Sequence, residues 1–217
     1  MLGERLTTLV SFEQLKLAAA AVLLSPFLPL LFMGEEYGET APFLYFVSHS
    51  DADLIEAVRN GRRREFSAFA WQGTPPDPQD EATFLQSILN HDLKQQEPHS
   101  TLYAFYRHLL QLRKSLPSLR HLSKAQMEVT AIEDANTLCL RRWHADDQTL
   151  LVLAFSSVAT TVKTTLPQGA WQKILDSSEA KWRGPQAISP ESLAPGETLP
   201  MSPHAAVLYL KAQEQKS

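Results

Sequence analysis

Cysteine is nearly absent from this chain of 217 residues. Its single cysteine, Cys139, cannot form an internal disulfide, which makes a reducing compartment the default location. Cys139 alternates with leucines in a strand-like pattern, which favours a small packed or half-exposed residue over a nucleophile. The sequence also lacks a metal-binding cysteine cluster, a phosphate-binding loop and an internal repeat.

Excess positive charge is missing as well. The chain has 20 basic and 24 acidic residues, a formal charge of −4 and a pI of about 6.0. This balance gives no general attraction to nucleic acid or to an anionic membrane. Four arginines between residues 59 and 64 could form a nucleic-acid patch. Glutamates share the same predicted helix, and the Glu56–Arg59 spacing favours a solvated, salt-bridged face instead.

No apolar run is long enough to cross a membrane without interruption. The stretch 15–32 comes nearest, but Lys16 lies near its start and Pro26 and Pro29 interrupt it. It does not fit a signal peptide either, because the N-terminus is acidic and no small-residue cleavage site follows. We expect no membrane association, and a buried helix followed by a buried strand.

The first half of the chain has a helical pattern with one strand-like run. Ser11 and Gln14 fit a capping box at the start of an alanine-rich helix that ends before Pro26. The next run, "FLPLLFM" at 27–33, is apolar on both faces, which predicts a buried strand of an α/β structure. Residues 34–51 then form a loop.

Helical spacing returns after this loop. We predict a helix over 52–71, capped by Ser50 or Asp51, and shorter helices over 81–91 and 100–115. After about residue 124 the pattern alternates, which indicates an antiparallel sandwich of short strands. The strand candidates are 127–132, 137–143, 149–155, 160–166, 171–175 and 206–211. Trp143, Trp171 and Trp182 could form a sugar platform there, but core and rim packing is favoured.

Two stretches carry a family resemblance. "LSPFLPLLFMGEEYGETAPFLYF" at 24–46 and "VRNGRRREF" at 58–66 resemble the malto-oligosyltrehalose trehalohydrolases, a branch of the α-amylase family of glycoside hydrolases. The resemblance starts at "GERL", residues 3–6, and a compatible β-rich tail extends it over essentially the whole chain.

The resemblance implies an α+β fold, the end of a (β/α)₈ barrel followed by an antiparallel β-sandwich. Residues 1–120 would supply barrel helix seven, strand eight, helix eight and extra helices, and residues 124–217 the sandwich. The loop 34–51 would lie at the C-terminal end of strand eight. In such barrels the active site is built from the loops on that face.

The family's chemistry requires a nucleophilic Asp, an acid/base Glu and a stabilising Asp, none of whose motifs is present here. Retaining hydrolysis places the first two about 5 Å apart. The third would precede Met1, and the only His-Asp pair, His91-Asp92, has the wrong context. We therefore assign no catalytic residue to this chain.

The loop carries the candidate substrate-binding residues. Glu35 and Glu36 could accept hydrogen bonds from sugar hydroxyls or brace the loop, and both interpretations stay open. Aromatic rings of the loop could stack on sugar faces or pack beneath the loop. These rings belong to Tyr37, Phe43, Tyr45 and Phe46.

The resemblance implies neither a metal nor an organic cofactor. It implies a malto-oligosaccharide substrate ending in a trehalosyl unit, a cytoplasmic location and a synthase acting upstream. Two alternatives remain open: a non-catalytic glucan-binding or scaffold protein, and a fragment of a glucan branching enzyme. The sequence does not determine the oligomeric state.

Overall fold

A computed structural model describes residues 3–68 and 75–212 of the chain. The helical half contains α1 to α6 and two short 3₁₀ turns, Glu35–Tyr37 and His91–Gln95. The α-helices are α1 Leu6–Leu9, α2 Phe12–Leu24, α3 Ala52–Ala68, α4 Glu81–Leu85, α5 His99–Ser115 and α6 Pro117–Arg120. The strands are β1 Met127–Ile132, β2 Thr137–His144, β3 Asp147–Ala154, β4 Thr160–Lys163, β5 Trp171–Asp176, β6 Ser192–Leu193, β7 Thr198–Met201 and β8 Ala206–Lys211.

Helix α2 begins with the predicted capping box. The Ser11 hydroxyl accepts a hydrogen bond from the backbone N–H of Gln14, and the Gln14 side chain accepts one from the backbone N–H of Ser11. The N–H groups of Ser11 and Gln14, which have no backbone partner at the start of the helix, are thereby satisfied. At the other end, the guanidiniums of Arg113 and Arg142 donate to carbonyls of the last turn, including those of Leu23 and Leu24.

The remaining helix predictions are partly correct. Asp51 caps α3 by accepting a hydrogen bond from the N–H of Leu54 at 2.8 Å, while residues 69–71 of the predicted helix lie outside the described residues. The predicted helix over 81–91 is wrong beyond Leu85. Tertiary hydrogen bonds compete with it there, because the Ser87 hydroxyl accepts from the N–H of Leu44 and the N–H of Asn90 donates to Glu39.

The strands form two antiparallel sheets. Six strands pair in the order β1-β2-β3-β8-β5-β6, and β4 pairs with β7 in a second sheet. All six predicted strands are present, although the fourth ends at Lys163 rather than at 166. The alternation missed β6 and β7, which are short and lie in the proline-rich part of the chain.

Both faces of the six-stranded sheet are covered. One face packs against α2 and α5 in a core that includes Leu23, Phe105 and Leu208. The opposite face packs against β4 and β7 around Trp171 and Tyr209. The expected sandwich is therefore present, and helices form a third layer that ties the first half of the chain to the sheet.

The segment 27–33 contradicts its prediction as a buried strand. It has no regular secondary structure and pairs with no strand of the described residues, and Leu28 and Leu30 are 84% and 91% exposed. A strand needs neighbouring strands to satisfy its backbone groups and to cover its side chains, and the described residues provide none here. Among those residues, no helix combines the length and apolar character needed to cross a bilayer.

Candidate functional site

The loop after segment 27–33 is built on two glycines. Gly34 and Gly38 have φ angles of 84° and 71°, a left-handed conformation that glycine adopts without the penalty of a Cβ. Between them Glu35–Tyr37 forms a 3₁₀ turn. A Cβ at Gly34 would lie 2.7 Å from the Cβ of Glu39, so this tight closure depends on glycine.

Glu35 braces the start of the loop. Its Oε2 accepts a hydrogen bond from the backbone N–H of Phe32 at 3.0 Å. Its Oε1 accepts one from the hydroxyl of Tyr106 on α5, also at 3.0 Å. Of the two interpretations left open for Glu35, the structure shows the bracing contacts directly.

Glu39, which the sequence analysis did not single out, is the buried carboxylate of the loop. Its Oε1 accepts from the backbone N–H groups of Thr40 and Ala41, at 2.8 and 2.9 Å. Its Oε2 accepts from the Tyr37 hydroxyl at 3.0 Å and from the N–H of Asn90 at 2.7 Å. Burial alone would raise the pKa of Glu39, but these hydrogen bonds outweigh it and lower the pKa.

Tyr37 lies in the core of the loop. Its ring is fully buried, its hydroxyl donates to Glu39, and its carbonyl lies 2.8 Å from Nδ1 of His99. Burial, with the hydrogen bond to Glu39, raises the pKa of Tyr37 to about 12. The ring presents no exposed face to a sugar in this structure.

Arg5 joins the two ends of residues 33–41, the first part of the loop. Its guanidinium donates to the carbonyl of Met33 at 2.7 Å and to the carbonyl of Ala41 at 2.5 Å. The same side chain is 7% exposed and lies 5.2 Å from the ring centroid of Phe32. Arg5 therefore links residues 33 and 41 from outside this part of the loop, and Glu39 braces it from inside.

Glu36 differs from the other two glutamates. It is partly exposed, and its carboxylate forms no hydrogen bond or ion pair with residues 3–68 or 75–212. Its charge is one of the causes that raise the pKa values of Tyr37 and Tyr106. It is the glutamate of this loop that keeps its acceptor oxygens available.

Aromatic residues in and around the loop form a row of edge-to-face contacts. Ring centroids are 5.1 Å apart for Phe32 and Phe43, 6.4 Å for Phe43 and Phe46, and 5.2 Å for Phe46 and Phe84. Phe43 is 42% exposed, so packing leaves part of its face open.

Two clefts meet at Phe43. A groove of about 530 Å³ runs along Phe43, Tyr45 and Phe46 to Arg62. A second cleft of about 480 Å³, mostly apolar, is lined by residues that include Phe32, Glu35 and Tyr106. Each is large enough for a small organic ligand.

The other candidates of the sequence have structural partners. Arg59 bonds to Glu56 and Asp77, Arg62 to Glu65, and Arg63 to Asn60, as the predicted salt-bridged face requires. Trp171 and Trp182 lie in the two cores, whereas Trp143 is half-buried beside Arg141.

Cys139 is buried in β2, and burial raises its thiol pKa to about 11. His91-Asp92 begins a 3₁₀ turn.

Metal ligation has no structural support in the described part of the chain. No group of three or more His, Cys, Asp or Glu side chains there is placed to hold a metal ion.

Known proteins resemble this chain in sequence. Residues 127–208 match the family described as Domain of unknown function (DUF3459), which forms the C-terminal domain of α-amylase family enzymes. A malto-oligosyltrehalose trehalohydrolase of Arthrobacter ramosus is 47% identical over 116 residues, which are 53% of this chain and 20% of the relative. That of Rhizobium sp. (strain M-11) is 40% identical over 153 residues, 70% of this chain and 25% of the relative. This chain is therefore similar in sequence to part of the malto-oligosyltrehalose trehalohydrolases.

Solved structures agree with this similarity. A Salmonella typhimurium protein described as a candidate α-amylase matches with a TM-score of 0.76 and 31% identity, over 97% of this chain and 32% of its own. The α-amylase from H. orenii has a TM-score of 0.55 at 15% identity, over 93% of this chain and 36% of its own, and shows the fold alone. The chain spans about a fifth to a quarter of the length of the curated relatives cited above.

Proposed function

We propose that this chain forms the C-terminal part of a trehalose-releasing glycoside hydrolase that acts on malto-oligosyltrehalose. The enzyme would cleave the α-1,4 bond next to the terminal trehalose unit, in the cytoplasm and after a synthase. Residues 1–120 would complete a barrel and residues 124–217 would form the β domain. Homologues with this activity in their names support the proposal.

The observation that carries the proposal is the carboxylate of Glu36, which has no hydrogen-bond or ion-pair partner in the described part of the chain and lies on a loop braced by hydrogen bonds. Its neighbours Glu35 and Glu39 are occupied by bracing hydrogen bonds. The same loop carries a carboxylate with available oxygens and partly exposed aromatic rings, which are the groups that bind sugar hydroxyls and sugar faces. We assign Glu36 to hydroxyl binding and Phe43 and Phe46 to the rim of the site, with Glu35 and Tyr37 as supporting residues.

The chain by itself should not hydrolyse malto-oligosyltrehalose. None of the three catalytic carboxylate motifs occurs in its sequence, and loss of a nucleophile alone lowers rates by about 10⁶-fold. The test is trehalose release by the purified chain, compared with a buffer blank and a full-length homologous trehalohydrolase. Release above the blank that survives a Glu35→Gln/Glu36→Gln double substitution would show that the chain carries its own catalytic machinery.

A glucan-binding protein without turnover is the second candidate. The groove of about 530 Å³ beside Phe43, Tyr45 and Phe46 favours it, since it is open in the isolated chain. Titration with maltotetraose, followed by NMR shifts of the loop amides, separates the two candidates. Saturable shifts without hydrolysis would favour the binding protein, whereas a fragment of a larger site should bind only weakly.

A further inference from the structure

We infer that Glu39 is a positioning residue, which fixes the loop 33–41 so that Glu36 faces the ligand. The inference rests on the proposed function of Glu36 and extends it to a residue that never touches the substrate. Glu39 is fully buried, and its two oxygens together accept four hydrogen bonds.

The contacts of Glu39 join two parts of the chain. Three donors, on Tyr37, Thr40 and Ala41, belong to the loop itself, and the fourth is the backbone N–H of Asn90. Asn90 lies 51 residues further along and caps the 3₁₀ turn His91–Gln95. The carboxylate therefore ties the loop to a neighbouring element as well as closing it.

The position of Glu36 follows from these contacts. Glu36 lies between two residues of the tethered turn, and the hydroxyl of Tyr37 donates directly to Glu39. The backbone N–H of Glu39 also bonds to the carbonyl of Gly34 at 2.9 Å, directly across the turn. Loss of the Glu39 carboxylate would leave partly buried N–H groups without their acceptor, and we expect the turn to reorganise so that these groups reach water.

The first test uses the full chain and amide hydrogen exchange followed by NMR. Glu39→Gln keeps one acceptor oxygen and replaces the other with an amino group, so protection should fall by about 10-fold or more either at the Asn90 amide or at the Thr40 and Ala41 amides. Glu36→Gln is the matched control and should leave all three unchanged. The amide of Val152 in β3 reports global unfolding, so its protection should persist. Unchanged protection of all three amides in Glu39→Gln would overturn the inference.

A milder variant covers the case in which Glu39→Gln does not fold. Tyr37→Phe removes one of the four donors and keeps the carboxylate. It should lower protection of the same amides by a smaller factor, with no change at Val152. No change at the Thr40, Ala41 and Asn90 amides would contradict the inference.

The second test separates positioning from a purely structural role. Residues 3–96 would replace the matching segment of a full-length homologous trehalohydrolase, and KM would be measured for Glu36→Gln, Glu39→Gln and the double variant. If Glu39 acts through Glu36, the single Glu39→Gln substitution raises KM. The same substitution adds little further increase in KM when Glu36→Gln is already present. Additive effects would overturn the inference. If Glu36→Gln has no effect on KM while the amides that bond to Glu39 still lose protection in Glu39→Gln, the proposed role of Glu36 fails and the anchoring by Glu39 stands.

Discussion

Two apolar runs of strand length have opposite fates in this molecule. "FLPLLFM" at 27–33 and "AVLYLK" at β8 have similar apolar character in the sequence. β8 pairs with β3 on one edge and with β5 on the other, and Val207, Leu208 and Tyr209 are fully buried. Segment 27–33 pairs with no strand, and Leu30 is 91% exposed. A strand is thus specified by its neighbours as much as by its own residues.

A matched pair of leucine truncations tests this contrast most directly. Leu208→Ala should lower the free energy of unfolding by about 2–5 kcal/mol, because it opens a cavity between the sheet and the helices. Leu30→Ala should change it by less than about 0.5 kcal/mol, because the side chain is exposed. Urea denaturation monitored by circular dichroism measures both. Equal losses would show that residue 30 is buried in solution, for instance by self-association.

Lys16 in α2 provides a second test, because its side chain links the first half of the chain to the β domain. Its buried ammonium donates to the carbonyls of Ser177 and Trp182 and pairs with Glu13 at 2.9 Å. Lys16→Met leaves these acceptors unpaired and should cost about 3 kcal/mol. Lys114→Met, at an exposed position of α5, is the control and should be nearly neutral.

Limited proteolysis of the Lys16→Met variant also tests the proposed division into residues 1–120 and 124–217. If the β domain is independent, protease should cleave residues 1–50 of the variant while a C-terminal core stays resistant. Simultaneous digestion of both parts would show that the chain unfolds as one unit.

Local signals predicted the parts of the fold that local physics controls. The Ser11 capping box, the Asp51 cap and the six predicted strands appear because each depends on residues close in sequence or on a plain alternation. The helix over 81–91 failed because Ser87 and Asn90 form hydrogen bonds with residues more than 40 positions away. The buried strand failed because none of the described strands pairs with segment 27–33, and without pairing its leucines stay exposed.

The candidate site was only partly visible in the sequence. The glycine–glutamate pattern indicated the loop, yet it could not say which glutamate braces and which stays free. That division depends on Tyr106 and Asn90, far along the chain. Glu39 was overlooked, although its place directly after a left-handed glycine is a signal that a carboxylate can accept the N–H groups that follow it.

Glu36 and Tyr37 are neighbours with different expected effects, measured in a homologous trehalohydrolase that carries residues 3–96. Glu36→Ala should lower kcat/KM by about 10- to 200-fold, or about 1–3 kcal/mol, mainly through KM, because a binding contact is lost. Tyr37→Ala should lower the melting temperature first, since the ring is fully buried. A fall of about 10⁵-fold in kcat for Glu36→Ala with normal folding would instead mark it as a chemical group.

The smallest expected effect concerns His108, on the helix that covers the sheet. Its Nε2 is buried without a hydrogen-bond partner among the described residues, and its ring lies 5.3 Å from that of Trp182. Burial, assisted by the charge of Lys181 and opposed by that of Glu179, lowers the pKa of His108 below its ordinary value. The unfolded chain therefore takes up this proton first as pH falls, and the folded state loses stability below about pH 6.5. Melting temperatures between about pH 7.5 and about pH 5.5 should fall less for His108→Gln than for the unsubstituted chain. Equal changes of melting temperature with pH in the two proteins would show that protonation of His108 does not destabilise the packing of α5 on the turn at Trp182.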